Sequence, residues 1–225
     1  MPAPCPLCRA PRSTLHHKGT DRSFWHCRGC DLVFVAPQER LSYDAEVARY
    51  KLHRNADDDP KYIAFLSRLA DPVIARTPLG ARGLDYGCGP STALAQIFTG
   101  AGRPTESYDP AFRPDASVLE GTYDFLTCSE VVEHVHEPFA LLERFGALVR
   151  PGGVIGIMTT FRDPSVPFGE WWYARDPTHV CFYSEATMRW IARSLGWRVE
   201  LPAANVGLFA IAKPRGEQPV LSTEY

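Results

Sequence analysis

The chain has 225 residues, of which 45% are hydrophobic and 22% are charged, and its formal net charge is −2. This composition is that of an ordinary globular protein with room for one α/β domain and a small appendage. The weak net charge gives no general attraction to nucleic acid or to an anionic membrane. The first residues lack the charged and apolar regions of a secretion signal, and no apolar run is long enough to span a bilayer. We therefore expect a cytoplasmic protein without a membrane partner.

Residues 1–40 form a cysteine-rich and mildly basic segment. Cys5 and Cys8 make one C-x2-C pair, and Cys27 and Cys30 make a second one 18 residues later. Two pairs at this spacing are typical of a zinc ribbon, in which four thiolates surround Zn²⁺ as a tetrahedron. Four protein ligands close the coordination sphere, so the predicted role of the ion is structural. The three remaining cysteines are scattered singly, which favours a reducing compartment over a disulfide framework.

Residues 41–80 are predicted to form a helical connector, because apolar side chains recur there at three- and four-residue spacing. Pro72 should end or kink that helix near Asp71. From residue 81 onward strand and helix patterns alternate, which predicts a parallel sheet with crossover helices. The last two strands are too close in sequence for a crossover and should pair antiparallel. The predicted strands are 82–86, 104–108, 117–119, 123–128, 153–159, 197–201 and 206–212, and the predicted helices are 91–101, 137–149 and 184–195.

A glycine-rich loop, Leu84-Asp85-Tyr86-Gly87-Cys88-Gly89-Pro90-Ser91, joins the first of these strands to a helix. Gly87 and Gly89 permit a tight turn and close approach of a ligand to the backbone. The loop lacks the third glycine of a dinucleotide site, which favours a nucleoside without phosphates. About 20 residues on, Asp109 ends the second strand, where a carboxylate can accept hydrogen bonds from both ribose hydroxyls.

These segments resemble the motifs of class I S-adenosylmethionine-dependent methyltransferases. LDYGCGPS, YDP, YDFLTCSEVVEHV and LVRPGGVIGIMT stand in the family's order, and the likeness is greatest to the group that includes ubiquinone-biosynthesis methylases. The resemblance implies a Rossmann-like α/β fold with a seven-stranded sheet ending in an antiparallel strand. It also implies a binding site for S-adenosyl-L-methionine within residues 81–225. The implied cofactor residues are Asp85, Tyr86, Gly87, Gly89, Asp109, Pro110, Cys128, Ser129 and Glu130.

Two histidines are candidate catalytic residues, because a hydroxyl nucleophile benefits from a base with a near-neutral pKa. His134 follows the fourth strand, and in a helix it would share a face with Glu130 while Glu133 and His136 pointed elsewhere. The alternative is that His134 makes only a structural hydrogen bond. His179 is the second candidate, and Asp176 is placed to orient its ring.

His179 belongs to residues 160–183, a connection dense in aromatic side chains. Apolar side chains are unfavourable in water, so this segment is expected to close over the cofactor as an aromatic lid. Packing against the edge of the sheet is the alternative.

Three functions are compatible with the sequence. The first is methyl transfer to a small-molecule acceptor, with a hydroxyl as one option for the acceptor atom. The second is methylation of RNA or protein, with the zinc module used for recognition; nucleic acid is the weaker option because no basic stripe accompanies the aromatics. The third is a non-catalytic regulatory protein that binds the cofactor. The sequence leaves the oligomeric state open.

Overall fold

The computed structural model describes residues 3–50 and 57–212. The other residues of the predicted zinc module (1–40), helical connector (41–80) and methyltransferase domain (81–225) lie outside the described part of the chain. The described residues form five helices and ten strands, numbered here in chain order. The helices are α1 (Tyr43–Tyr50), α2 (Pro60–Ile74), α3 (Ala93–Gly100), α4 (Pro138–Leu148) and α5 (Glu185–Leu195). The strands are β1 (Thr14–Lys18), β2 (Ser23–His26), β3 (Val33–Val35), β4 (Gly83–Tyr86), β5 (Thr105–Tyr108), β6 (Tyr123–Ser129), β7 (Val149–Met158), β8 (Cys181–Phe182), β9 (Arg198–Ala203) and β10 (Val206–Ala210).

The larger sheet has the order β5-β4-β6-β7-β10-β9. Strands β5, β4, β6 and β7 are parallel, whereas β10 pairs antiparallel with both β7 and β9. The predicted α/β fold, its parallel core and its antiparallel terminal pair are therefore confirmed. Buried apolar side chains of α2 and α3 cover one face of this sheet, and those of α4 and α5 cover the other. No helix in the described part of the chain is long and apolar enough to cross a bilayer.

The sheet has six strands in the described residues, so the prediction of seven was wrong. The missing strand is 117–119, which lies in a 3₁₀ helix over Ala116–Glu120. The carboxylate of Asp115 accepts a hydrogen bond from the backbone N–H of Ser117 and caps this helix. A short side chain that bonds to the backbone two residues on favours a turn over an extended strand.

Helix α2 starts at Pro60 behind the capping carboxylate of Asp59, which accepts the N–H of Lys61 at 2.9 Å. It continues through Pro72 to Ile74, so the helix does not end near Asp71, and the kink that was the other predicted outcome stays a prediction. Pro72 lies in the last turn, where its missing N–H removes one hydrogen bond of the helix.

A second, smaller sheet has the antiparallel order β1-β2-β3-β8. Its first three strands follow one another near the N-terminus, but β8 belongs to the aromatic segment, residues 160–183. Val33 pairs with Phe182, and Phe34 pairs with Cys181. The ring of Phe168 also packs on that of Phe24, with their centroids 4.8 Å apart. The N-terminal module, residues 3–40, and the aromatic segment therefore share one sheet and one apolar core.

Candidate functional site

A cleft of about 590 Å³ lies at the carboxyl ends of β4, β5 and β6. This edge of a parallel sheet is the usual place for a ligand in open α/β folds, because loops diverge there to opposite faces. The volume is in the range of sites that hold nucleoside-sized molecules. The cleft is lined by nine of the residues singled out from the sequence: Tyr86, Gly87, Gly89, Asp109, Pro110, Ser129, Glu130, His134 and His179.

The glycine turn, Gly87–Gly89, forms one wall of the cleft. Gly87 has a φ of 78° and Gly89 a φ of 61°, in the left-handed region that other residues avoid. A Cβ on Gly87 would meet Val131 at 2.4 Å, whereas a Cβ on Gly89 would stand in open space at the cleft. The backbone N–H of Gly87 donates to the carbonyl of Tyr108 at 2.7 Å and ties the turn to the end of β5.

Asp109 stands opposite this turn and is oriented entirely by backbone donors. One carboxylate oxygen accepts the N–H of Gly89 at 3.0 Å. The other accepts the N–H groups of Ala111 at 2.8 Å and Phe112 at 3.0 Å. A carboxylate has about four lone-pair positions, so these three bonds fix its orientation and leave acceptor capacity toward the cleft.

Two predicted cofactor residues do not line the main cleft. Cys128 is a residue of β6 whose side chain is fully buried in the apolar core, because alternate residues of a strand point to opposite faces of the sheet. Asp85 is buried beside the cleft and lines a recess of about 30 Å³ together with Gly87 and Ser129. Burial raises the pKa of the Asp85 carboxyl to about 7, against a lowering by the hydroxyl of Thr127, which donates to it at 3.1 Å.

Glu130 occupies a strained position at the end of β6, with a φ of 52°. One carboxylate oxygen accepts the hydroxyl of Tyr173 at 3.2 Å, and the other has no hydrogen-bond partner in the described chain. Burial, followed by the nearby charge of Glu133, raises the pKa of Glu130 to about 8. A raised pKa favours the protonated form of this carboxyl, in which one oxygen can act as a hydrogen-bond donor.

Glu133 was expected to point away from the site, and that expectation was wrong. Residues Val132–His134 form a 3₁₀ helix rather than an α-helix, so the assumed four-residue face does not exist. The Glu133 side chain is fully buried, lines the cleft and accepts the hydroxyl of Thr159 at 2.9 Å. Its other oxygen lies 3.8 Å from Nε2 of His134.

His134 and His179 both line the cleft, and their rings pack edge to face with the centroids 4.7 Å apart. Nδ1 of His134 lies 3.2 Å from the carbonyl of Thr178, and Nδ1 of His179 lies 2.8 Å from the carbonyl of Tyr173. A carbonyl oxygen can only accept, so Nδ1 of each ring carries a proton, and the neutral form that fits these contacts has its lone pair on Nε2. Burial lowers the pKa of His179.

The expected orienting role of the Asp176 carboxylate was wrong. That carboxylate accepts the N–H and hydroxyl of Thr178 instead, at 2.9 and 2.7 Å. The ligand atoms of Glu133, His134 and His179 all lie within 4.8 Å of one another. This cluster has the composition of a proton-transfer site and also of a site for a divalent cation.

The four N-terminal cysteines converge at one end of the small sheet. Sγ of Cys5 lies 3.5 Å from Sγ of Cys30, Sγ of Cys8 lies 3.3 Å from Sγ of Cys27, and all four lie within 4.8 Å of one another. A tetrahedron with Zn–S bonds of about 2.3 Å has sulfur–sulfur edges of about 3.8 Å. The donor set and its spacing therefore fit a zinc ion.

The two cysteine pairs also have the same backbone conformation. Cys5 O accepts the N–H of Arg9 at 2.9 Å, and Cys27 O accepts the N–H of Asp31 at 2.8 Å. Arg9 and Asp31 hold equivalent positions after each pair and have φ values of 58° and 61°. Two knuckles of the same form thus present their thiols to one point.

Residues 43–201, well over half of the chain, match the family described as the methyltransferase domain. The chain belongs to this family. Its fold, sheet order and glycine turn agree with that membership, and the resemblance to class I S-adenosylmethionine-dependent methyltransferases is confirmed.

This chain is similar to proteins of known sequence and to solved structures. The ubiquinone biosynthesis O-methyltransferase of Xanthomonas campestris pv. campestris is 32% identical over 42% of this chain and 50% of its own length. The chain thus spans about half of this relative. Among solved structures, the 1,6-didemethyltoxoflavin-N1-methyltransferase of Burkholderia thailandensis, with bound 1,6-didemethyltoxoflavin and S-adenosylhomocysteine, has a TM-score of 0.54 and 18% identity. The match covers 88% of this chain and 99% of that one. At this identity the second likeness concerns the fold alone.

Proposed function

We propose that the chain transfers the methyl group of S-adenosylmethionine to a small-molecule acceptor through a hydroxyl oxygen. The observation that carries the proposal is the convergence of the glycine turn, the Asp109 carboxylate and two histidines on one cleft. The names of the matching O-methyltransferases support the choice of a hydroxyl. The volume of about 590 Å³ leaves room for a small acceptor beside a nucleoside cofactor.

Two groups of residues in the cleft are suited to hold the two ends of the cofactor. Asp109 is placed to accept hydrogen bonds from ribose hydroxyls, and the open space at Gly89 allows the ligand to touch the backbone. Ser129 and Glu130, at the end of β6, would lie beside the sulfonium. Bound there, the cofactor supplies an electrophilic methyl group, so the chain has mainly to align the acceptor and exclude water.

His179 is the base that we propose for the acceptor proton. Its Nδ1 is held by the Tyr173 carbonyl, which leaves the lone pair of Nε2 as the proton acceptor. Its lowered pKa favours the neutral ring at neutral pH, and the neutral ring is the form that can accept a proton. His134, 4.7 Å away between ring centroids, is the second base candidate.

The four cysteines are proposed to bind one structural Zn²⁺ per chain. The four thiols close the coordination sphere, and the matched knuckles support a tetrahedral site without an open position. Zinc would supply folding free energy to a segment with only three short strands of its own.

Two charged side chains of the N-terminal module contact the aromatic segment. Arg22 is directed toward backbone carbonyls of the aromatic segment, and Asp31 binds Arg162 at 2.8 Å. Arg22 therefore adds nothing to a basic surface for phosphates, although Arg9, Arg12, Lys18 and Arg28 are exposed, so RNA stays the second candidate acceptor and is tested below. This arrangement makes the module part of the catalytic unit in our proposal.

The test combines binding with turnover. S-adenosylhomocysteine is titrated into the full chain by calorimetry, and the protein is then incubated with methyl-labelled S-adenosylmethionine and a library of hydroxylated metabolites. An RNA pool and a protein extract form two further arms. Binding followed by label in a small molecule supports the proposal. Label in RNA or protein alone contradicts the acceptor class, and binding without any transfer supports the non-catalytic alternative.

A further inference from the structure

One arginine of the N-terminal module holds the loop that carries His179. Arg22 lies in the turn between β1 and β2, where its carbonyl accepts the N–H of Gly19 at 3.0 Å. Its guanidinium crosses to the aromatic segment, about 150 residues further along the chain. There it donates to four backbone carbonyls: those of Ala174 at 2.8 Å, Pro177 at 3.0 Å, His179 at 2.8 Å, and Asp176.

Four carbonyl oxygens that point at one place repel one another unless a cation with several donors lies between them. A guanidinium has five N–H donors in a fixed plane and suits this arrangement, whereas an ammonium group is a point charge with three. The side chain of Arg22 is only partly exposed, so water replaces these bonds poorly. The loop over residues 174–179 thus owes its shape to a side chain from another part of the sequence.

Carbonyls of the same loop hold both catalytic candidates. The carbonyl of Tyr173 accepts Nδ1–H of His179, and the carbonyl of Thr178 accepts Nδ1–H of His134. Along the chain these two carbonyls stand directly next to carbonyls that accept from Arg22. Any change in the loop that rotates them removes the bonds that fix the two ring tautomers.

We infer that Arg22 is a positioning residue, which fixes the Nδ1–H tautomer and the placement of His134 and His179 through the backbone of residues 173–179. The catalytic consequence of this inference rests on the proposed function, but the tautomer itself does not. The inference also gives the N-terminal module a task, which is to shape the acceptor end of the cleft.

Loss of Arg22 should leave the module attached. Asp31 accepts hydrogen bonds from Arg162 at 2.8 Å and from Ser184 at 2.5 Å on another side of the interface. Strands β3 and β8 form a third connection. We therefore expect a variant at Arg22 to remain folded and to change the loop locally.

The test compares Arg22→Gln and Arg22→Lys with Arg12→Gln, which removes an exposed arginine of the same module. Ring ¹⁵N chemical shifts, recorded on protein labelled at histidine, report the tautomers, and spectra of His134→Gln and His179→Gln assign the two rings. We expect a pure Nδ1–H signature at both rings in the wild type and in the control Arg12→Gln. Arg22→Gln should show mixed tautomers at both rings, and Arg22→Lys should resemble it more than the wild type.

Methyl transfer and cofactor binding provide the second readout. Turnover of Arg22→Gln should fall about 10²-fold, the scale of a small misplacement of catalytic groups, while its affinity for S-adenosylhomocysteine stays that of the wild type. Wild-type ring shifts in folded Arg22→Gln would overturn the inference, and if that variant does not fold, wild-type shifts in Arg22→Lys would do so. Absence of S-adenosylhomocysteine binding by the wild type would instead refute the proposed function and leave the tautomer result standing.

Discussion

The two ends of the cleft are built in different ways. The proposed cofactor end comes from neighbouring strand ends within residues 85–130. Its hydrogen bonds join residues that the parallel sheet brings together, such as Gly87 and Tyr108. The proposed acceptor end joins the N-terminal module to the aromatic segment, through Arg22, Asp31 and the pairing of β3 with β8. The first end is a property of the sheet, and the second depends on an interface between distant parts of the chain.

This difference predicts that the two ends can be damaged separately. A change in the N-terminal module should affect methyl transfer and spare cofactor binding. A change in the glycine turn or at Asp109 should weaken cofactor binding and leave methyl transfer at saturating cofactor close to that of the wild type. The following substitutions test this separation, from the largest expected effect to the smallest.

Cys27→Ser should have the largest effect. Loss of one thiolate would remove the proposed zinc ion and the folding free energy that it would supply, so β1–β3 should unfold and the β3–β8 pairing should be lost. Methyl transfer is expected to become undetectable, while S-adenosylhomocysteine still binds. Elemental analysis, circular dichroism and calorimetry check the three parts. His16→Gln, which alters the same module and keeps all four thiols, is the control; a metal-free Cys27→Ser protein with normal turnover would contradict the separation.

His179→Ala should reduce single-turnover methyl transfer by about 10²–10⁴-fold, the usual contribution of a general base. The neutral ring is the active form, so the wild-type rate should rise with pH and then level. Because burial lowers the pKa of His179, the midpoint should lie below the ordinary histidine value of about 6.5. His134→Ala, measured in parallel, separates the two base candidates. A pH-independent rate that survives both substitutions would mean that alignment alone is sufficient.

Asp109→Ala should weaken S-adenosylhomocysteine binding by about 1.5–3 kcal/mol, or roughly 10- to 150-fold, the scale of hydrogen bonds to a charged group. It also frees the N–H of Gly89, so the glycine turn loses one of its hydrogen bonds and keeps the one from Gly87 to Tyr108. The exposed Asp58→Ala provides a control for the change in charge. Calorimetric affinity equal to that of the wild type would remove Asp109 from the cofactor site.

Trp172→Ala should have the smallest effect. Its ring lines the cleft but remains 66% exposed, so it can contribute contact area to an acceptor without forming the core. Loss of an aromatic contact of about 0.5–1.5 kcal/mol should raise KM for the acceptor by roughly 2- to 12-fold, with kcat and cofactor affinity unchanged. Leu79→Ala removes a side chain that is 77% exposed outside the cleft and should change nothing. A loss of kcat with unchanged KM would place Trp172 in a different role.

The cofactor end could be predicted from the sequence because its signals are local. Strand periodicity located β4, β5 and β6, and Gly87, Gly89 and Asp109 then followed from their positions at the strand ends. The two errors in this region have local causes. One is a side chain that bonds to nearby backbone, and the other is a short segment that forms a 3₁₀ helix where an α-helix was assumed. The Asp115 cap turned a predicted strand into a 3₁₀ helix, and the 3₁₀ turn at Val132–His134 brought Glu133 into the cleft.

Only part of the proposed acceptor end could be predicted from the sequence. The aromatic density of residues 160–183 indicated a buried surface, but Phe168 and Phe182 pack on Phe24 of the N-terminal module, and four residues of the segment line the cleft. The role of Arg22 has no local signal, since its four partners are backbone carbonyls about 150 residues away. Pairing of β3 with β8 is equally invisible to periodicity, because a two-residue strand has no pattern.

Hydrogen–deuterium exchange of the protein before and after treatment with a chelator that would remove the proposed zinc ion tests the separation of the two ends most directly, because it requires no acceptor. Our account predicts faster amide exchange after chelation in β1–β3 and in residues 173–183, with unchanged exchange in β4, the glycine turn and β5. Unchanged exchange in residues 173–183, or an equal increase in β4 and β5, would contradict it.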